Sequence, residues 1–203
     1  MMIRLNVPIT DEEIMNLKVG DVVGLYGVIL TARDQAHKYF IDTFIDSEKI
    51  PESEIELHQR LCEILRGGAI YHCGPIVKKV DDRWEFVAAG PTTSIREEPY
   101  QDRVIEYFGL KAVIGKGGMG ARTLAACQKH RAVYLHAVGG AASLIAQSVK
   151  EVEDVYKLEF GVPEAMWKIR VENFPVTVTI DAHGNSLHQK IQEESRKVLE
   201  TYL

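Results

Sequence analysis

Residues 111–138 read KAVIGKGGMGARTLAACQKHRAVYLHAV. Lys111–Ile114 reads as a strand and Gly115-Lys116-Gly117-Gly118-Met119-Gly120 as a glycine-rich loop. Ala121–Lys129 reads as a helix and Ala132–Val138 as a second strand. A strand, a helix and a strand in this order predict a parallel pair joined by a crossover. Gly139-Gly140 and a helix over Ala141–Val149 extend the alternation, so the back half predicts β-α-β units in an α/β fold.

Working outward, Glu97–Phe108 predicts a helix entered through a Ser94/Glu97 capping box, with Pro99 in its first turn. The front half is richer in strands. Ile3–Ile9, Asp21–Leu30, Ala69–His72, Ile76–Val80 and Trp84–Ala89 all read as strands, with Asp81-Asp82 a hairpin turn. The two glycines of Asp21–Leu30 predict a bend or bulge. Thr10 and Glu13 form a second capping box, and Ala32–Phe44 and the apolar end of Glu48–Arg66 have helical spacing. Trp167–Val171 and Val176–Ile180 predict two late strands, Asp181–Asn185 a turn, and Leu187–Leu199 a polar helix.

The chain has 203 residues, 46% of them hydrophobic and 26% charged, an ordinary composition for a globular protein with a sizeable core. Its formal net charge of -5 and lack of a basic stripe argue against nucleic acid as partner. Met1–Pro8 carries no long apolar run, so no secretory signal is expected, and no window is apolar enough for a membrane helix. Cys62, Cys73 and Cys127 are too widely spaced for a zinc site or a disulfide framework. They read as small buried residues and fit a reducing, cytoplasmic setting.

Three loops carry candidate chemistry, each with a cation where a strand hands over to a helix. Gly115–Gly120 matches G-x-G-x-x-G, but Val138-Gly139-Gly140 stands where a dinucleotide site needs an acid. Lys116 precedes the glycines, so the loop is not a P-loop either; an anion-binding turn fits better, and a plain sharp turn remains open. Gly90-Pro91-Thr92-Thr93-Ser94-Ile95-Arg96 places Thr92 and Thr93 ahead of a helix, where turn chemistry explains them. Arg96, however, opposes the helix macrodipole, as an anion-holding residue would. Thr31–Lys38 adds Arg33, with Asp34 able to stabilise a helix N-terminus and His37 on the face of Arg33. A single histidine completes neither a metal site nor an acid–base pair, so His37 reads as structural. Cys73 has no evident base to make it a nucleophile.

In this order, T-A-R-D-x-A-H-K, G-P-T-T-S-x-R and G-K-G-G-M-G resemble the β subunit of class I, iron–sulfur-dependent fumarate hydratases and the related L-tartrate dehydratases. The resemblance runs from Val7 to about Asn185 and takes in Tyr71-His72-Cys73-Gly74-Pro75, Gly139-Gly140 and Ala165-Met166-Trp167-Lys168. The segment Glu48–Arg66 is longer than its counterpart in the single-chain enzymes. The resemblance implies one swivelling β/β/α domain over residues 1–203, which closes an active site shared with an α subunit. That partner would hold a 4Fe-4S cluster with one open iron, acting as a Lewis acid on the hydroxyl and one carboxylate. By the same resemblance Arg33, Arg96 and Lys116 bind the substrate carboxylates. Thr92 is implied in proton transfer, in relay with an aspartate of the partner.

The expected reaction is reversible water addition to fumarate, giving L-malate, in a cytoplasmic α–β hetero-oligomer. Gly139-Gly140-Ala141-Ala142 resembles a fumarase G-G-x-A pattern more than the G-C-A-V of tartrate dehydratases, so fumarate is favoured over L-tartrate. The alternative of another class is a non-catalytic anion-binding or scaffold module.

Overall fold

Apolar side chains alternate along the strands of the computed structural model, which describes residues 2–202, and the alternation separates two cores. The chain begins with β1 (Ile3–Asn6) and α1 (Asp11–Asn16), where Thr10 and Glu13 form the predicted reciprocal cap. β2 (Val22–Thr31) leads into α2 (Asp34–Phe40), which widens into a π-helical turn over Ile41–Ile45. The charged segment forms a 3-10 turn, Glu52–Glu54, and α3 (Ile55–Leu65). After β3 (Ala69–Tyr71) comes the hairpin of β4 (Ile76–Val80) and β5 (Arg83–Ala88), turned through Asp81 and Asp82 at φ 46° and 63°.

A 3-10 turn over Ser94–Glu97 precedes α4 (Glu98–Phe108). The crossover units follow as β6 (Ala112–Gly115), α5 (Ala121–His130), β7 (Val133–His136) and the short α6 (Ala142–Ala146). Then come β8 (Val149–Tyr156), β9 (Met166–Ile180) and α7 (Leu187–Glu200). No helix among the described residues is long and apolar enough to cross a membrane.

β2, β3, β6 and β7 are parallel neighbours in that order, with β6 and β7 paired as the crossover pattern predicts. β9 runs antiparallel to both β7 and β2, so it joins the two edges and closes a ring of five strands. β1 extends the ring beside β2, and β8 extends it beside β9. Closure leaves side chains alternating between inside and outside. Leu25, Ile29, Tyr71, Ile114, Leu135, Trp167 and Ile169 fill the interior. Leu30, Ile70, Val113, Tyr134 and Ile180 face outward and are covered by α2, α3, α4 and α5. The hairpin β4–β5 caps one end, with Trp84 edge-on to the fully buried Trp167 at 5.4 Å between ring centroids. Burial of one such large side chain contributes roughly 1.5–3 kcal/mol.

The bulge predicted in β2 is present between Leu25 and Gly27. Gly27 has φ 116°, and a Cβ there would lie 2.6 Å from the Val7 carbonyl oxygen, so only glycine fits.

Three expectations need correction. The helix over Ala141–Val149 stops at Ala146, and Val149 opens β8, a half-buried strand that its charged residues disguise. The two late strands are one 15-residue strand, β9, which carries Pro175 and a positive-φ Asn173 through a bend. The Ser94/Glu97 capping box does not form. The Ser94 hydroxyl is taken by His72 and Tyr134, and the Glu97 carboxyl is buried with neither oxygen bonded.

Candidate active site

Parallel strands deliver their C-terminal ends to one edge, the usual place for a ligand in an α/β sheet. Arg33 follows the end of β2 as the residue that caps α2. The loop carrying Thr92 threads between the ends of β3 and β6. Thr92 N–H and Oγ1 both donate to the His72 carbonyl, at 2.7 and 3.1 Å. Lys116 N–H donates to the Thr92 carbonyl at 3.2 Å, and Ser94 N–H donates to the Lys116 carbonyl at 3.0 Å. Arg96 lies in the turn before α4 and reaches back to Asp34 of α2. The backbone therefore brings together Arg33, Thr92, Arg96 and Lys116, the four residues singled out from the sequence.

Their electrostatics differ. Arg33 Nη2 is 3.2 Å from Glu164 Oε1 and 4.0 Å from Asp34 Oδ2, with its side chain mostly buried. Arg96 Nη2 is 2.8 Å from Asp34 Oδ2 and its side chain is 55% exposed. Asp34 thus bridges two arginines, a larger role than the helix-end charge expected of it. Lys116 is half-buried and, among the described residues, in no ion pair. Arg33 Nε is buried with no hydrogen-bond partner, which leaves a donor of that guanidinium unspent.

The glycine loop is not an open anion cradle. The first turn of α5 is filled by the Glu98 carboxylate, which accepts from Gly120 N–H (2.8 Å), Arg122 N–H (2.9 Å), Thr123 N–H (3.2 Å) and the Thr123 hydroxyl (2.7 Å). At α2, Glu164 Oε2 accepts from Gln35 N–H at 3.2 Å. Both helix N-termini that flank the cations are therefore occupied by the protein's own carboxylates. The charges left at this edge are those of side-chain cations.

Behind the cations lies a buried polar layer. His37 Nδ1 meets the Arg33 carbonyl oxygen at 2.9 Å, and His37 Nε2 meets the Gln101 amide at 3.1 Å. The same amide meets His72 Nε2 at 2.8 Å, and His72 Nδ1 meets Ser94 Oγ at 2.9 Å. Tyr134 donates its hydroxyl to Ser94 Oγ at 2.9 Å. Burial lowers the pKa of His37 and holds His72 well below the usual histidine range, so both rings are neutral. His37 is held inside the fold by the Arg33 carbonyl and the Gln101 amide. No local pattern joins His72, Gln101, Ser94 and Tyr134, which are distant in the chain and meet only in the fold. Glu97 was also missed as a titrating group. Burial, reinforced by Asp34 and opposed by Arg96, pushes its carboxyl up to about 8.

The cysteines do not form a ligand set. All three are free; Cys73 and Cys127 are buried, and burial pushes their thiols up to about 12. Among the described residues no cluster of three or more His, Cys, Asp or Glu side chains is arranged to hold a metal ion. Hollows beside the Asp181–Lys190 turn and between β5 and β8 are lined by none of the four candidate residues.

An α/β ring with a cluster of cations at its strand ends is the class of protein these observations define. The chain belongs to the Fumarase C-terminus family, whose model matches residues 1–191. It is 49% identical over 201 residues to a Geobacillus stearothermophilus protein provisionally named fumarate hydratase class I, covering 98% of this chain and 36% of that one. The chain thus spans about a third of that relative. It is 42% identical over 184 residues to the L(+)-tartrate dehydratase subunit beta of Escherichia coli (strain K12), covering 90% and 85%. A Methanocaldococcus jannaschii protein provisionally named as the same subunit is 42% identical over 188 residues, covering 92% and 91%.

Proposed function

We propose that the chain is the β part of a hydro-lyase that adds water to, or removes it from, a small dicarboxylic acid, with fumarate and L-malate as the pair. The observation that carries this reading is the convergence of Arg33, Arg96 and Lys116 around Thr92 at one strand edge. Arginine forks suit carboxylates, and several fixed cations suit a dianion. In this reading Arg33 and Arg96 exchange Glu164 and Asp34 for the substrate, and Lys116 holds the second carboxylate. The Thr92 hydroxyl, aimed at the His72 carbonyl, has lone pairs free to take the proton from carbon. A carbonyl oxygen cannot take the hydroxyl's own hydrogen, so the hydroxyl must turn from His72 and pass that hydrogen to a carboxylate of a partner chain as its oxygen gains the proton from carbon.

This chain's cysteines do not fit an iron–sulfur cluster, so the cluster belongs to an α subunit, and the proposal includes that subunit as partner in an α–β assembly. The swivelling unit spans residues 1–203. L-tartrate dehydration is the second reading, favoured by the beta-subunit relatives that match this chain over most of their own length. Anaerobic co-expression with a cluster-bearing partner, followed by assays with fumarate, malate and both tartrate enantiomers, tests both. Activity that requires the partner is expected. Hydratase activity from this chain alone, without iron, would overturn the reading.

A further inference from the structure

Between the cation edge and the outer core, five buried side chains from five parts of the fold form one continuous chain: His37 of α2, Gln101 of α4, His72 after β3, Ser94 of the 3-10 turn and Tyr134 of β7. All five are fully buried. Its two histidines are not placed arbitrarily. His37 grips the carbonyl of Arg33, and His72 carries on its own carbonyl both the N–H and the hydroxyl of Thr92. The rings lie 5.1 Å apart, edge to face, with the Gln101 amide joining their Nε2 atoms.

Proton counting decides how the chain is wired. The Arg33 carbonyl only accepts, so His37 Nδ1 carries a hydrogen. Burial keeps the ring neutral, which leaves His37 Nε2 as a lone pair. With Gln101 Oε1 facing it, two acceptors meet at 3.1 Å, while Gln101 Nε2 is a buried donor with no partner. Turning the amide over supplies a donor to both rings and leaves an oxygen, not a donor, as the unpartnered atom, and amide oxygen and nitrogen have nearly the same shape. One NH2 then donates to both rings. His72 must accept at Nε2 and donate from Nδ1 to Ser94 Oγ, which also accepts from Tyr134.

We infer that the Gln101 amide nitrogen, donating to His37 and His72 together, makes this chain a positioning device that holds Arg33 and Thr92 in fixed register. That Arg33 and Thr92 meet a substrate rests on the function proposed above; the tautomers do not. The ionisable and charged groups about the rings are the rings themselves, Asp34 and Arg33 at the head of α2, and Tyr134 from β7 through Ser94.

Nitrogen-15 NMR of the histidine-labelled full chain reads the wiring directly. Both rings are expected as neutral Nδ1–H tautomers, and an Nε2–H signature at His37 or His72 would overturn the wiring. In the assembled enzyme, Gln101→Leu is expected to lower kcat by about 100-fold, with a smaller rise in KM as Arg33 shifts, the cost of misplacing reacting groups by about an ångström. Val104→Ala, a cavity in the same helix, controls for lost stability and should leave kcat near wild type at a comparable drop in Tm. Gln101→Glu offers only acceptors, so the chain re-forms only with a protonated His37. Its kcat should rise as pH falls, where the wild type shows no such titration. An active complex in which Gln101→Leu leaves kcat unchanged, or in which Gln101→Glu adds no pH dependence, overturns the positioning role and spares the function. A complex inactive with fumarate, malate and both tartrates overturns the function and the positioning role with it, while the NMR result stands separately.

Discussion

Glu98→Ala should destabilise the chain by about 3 kcal/mol, and the structure shows where that comes from. Glu98 belongs to α4 but caps α5, accepting three backbone N–H groups and the Thr123 hydroxyl. Loss of a side-chain cap costs about 0.5–2 kcal/mol, and loss of a carboxylate at a helix N-terminus about 0.3–1 more. Arg122 N–H is exposed and water replaces its acceptor, but Thr123 is fully buried and its hydroxyl would be stranded, adding roughly 1–3 kcal/mol. These contributions overlap, so the total stays near 3 kcal/mol instead of their upper sum. At about 2–4 °C per kcal/mol for a chain of this size, Tm should fall by roughly 6–12 °C. Circular dichroism melts and urea titrations of the wild type, Glu98→Ala and Glu98→Gln measure it. The glutamine keeps one acceptor oxygen and should fall between the other two. A Glu98→Ala variant within about 0.5 kcal/mol of wild type, the range of ordinary surface substitutions, would refute the claim that this carboxylate fills the α5 N-terminus.

Lys116→Ala in the active complex should cost about 2–4 kcal/mol in kcat/KM, or roughly 30- to 900-fold, because it removes one partner of a charged hydrogen bond. Steady-state kinetics check it, and an unchanged kcat/KM would exclude the lysine from the site. Gly74→Ala should raise KM, since its Cβ would lie 2.5 Å from Arg33 Nη1 and 2.9 Å from the Pro163 carbonyl, so the guanidinium must move. Chain stability should change less than substrate affinity, which paired melting and kinetic measurements resolve. Glu97 has a folded-state pKa of about 8 against an ordinary 4.5, so the native state binds the extra proton between those values. Its contribution favours the fold at low pH and is lost as pH rises from about 5 to about 8. Glu97→Gln should therefore gain stability relative to wild type across that window, as denaturant titrations at several pH values would show; a constant difference would contradict the buried, neutral carboxyl.

Features set by near neighbours in sequence were legible, and features set by distant ones were not. The Thr10–Glu13 cap and the Asp81-Asp82 turn need only a few adjacent residues, and both are present. The crossover from β6 through α5 to β7 follows from its own alternation of apolar runs and loops. The Ser94–Glu97 pattern has the same local signature as Thr10–Glu13 and fails, because His72 and Tyr134 claim the serine hydroxyl from elsewhere in the fold. β8 was hidden because an edge strand with half-buried faces tolerates Lys150, Glu151, Glu153 and Asp154. Ring closure by β9 depends on pairing with β2 across most of the chain, for which no local pattern exists. The cations were legible because charged residues beside small ones at strand ends are unusual on local grounds. Their partners Asp34 and Glu164 were not legible as partners, since Glu164 lies far from Arg33 in sequence.

Those partners bear on what the edge will admit. Asp34 and Glu164 are tethered competitors for any incoming anion, always present beside the arginines and never diluted. A ligand with a single charge would merely trade places with one of them and gain little. A ligand that engages both arginines and the uncommitted Lys116 at once recovers more than it displaces. The internal acids would then act as a threshold, tuning the edge to dianions and keeping acetate-like ions from lodging there. Inhibition constants for mono- and dicarboxylates against the assembled enzyme would measure that threshold, and equal affinity for both would remove it.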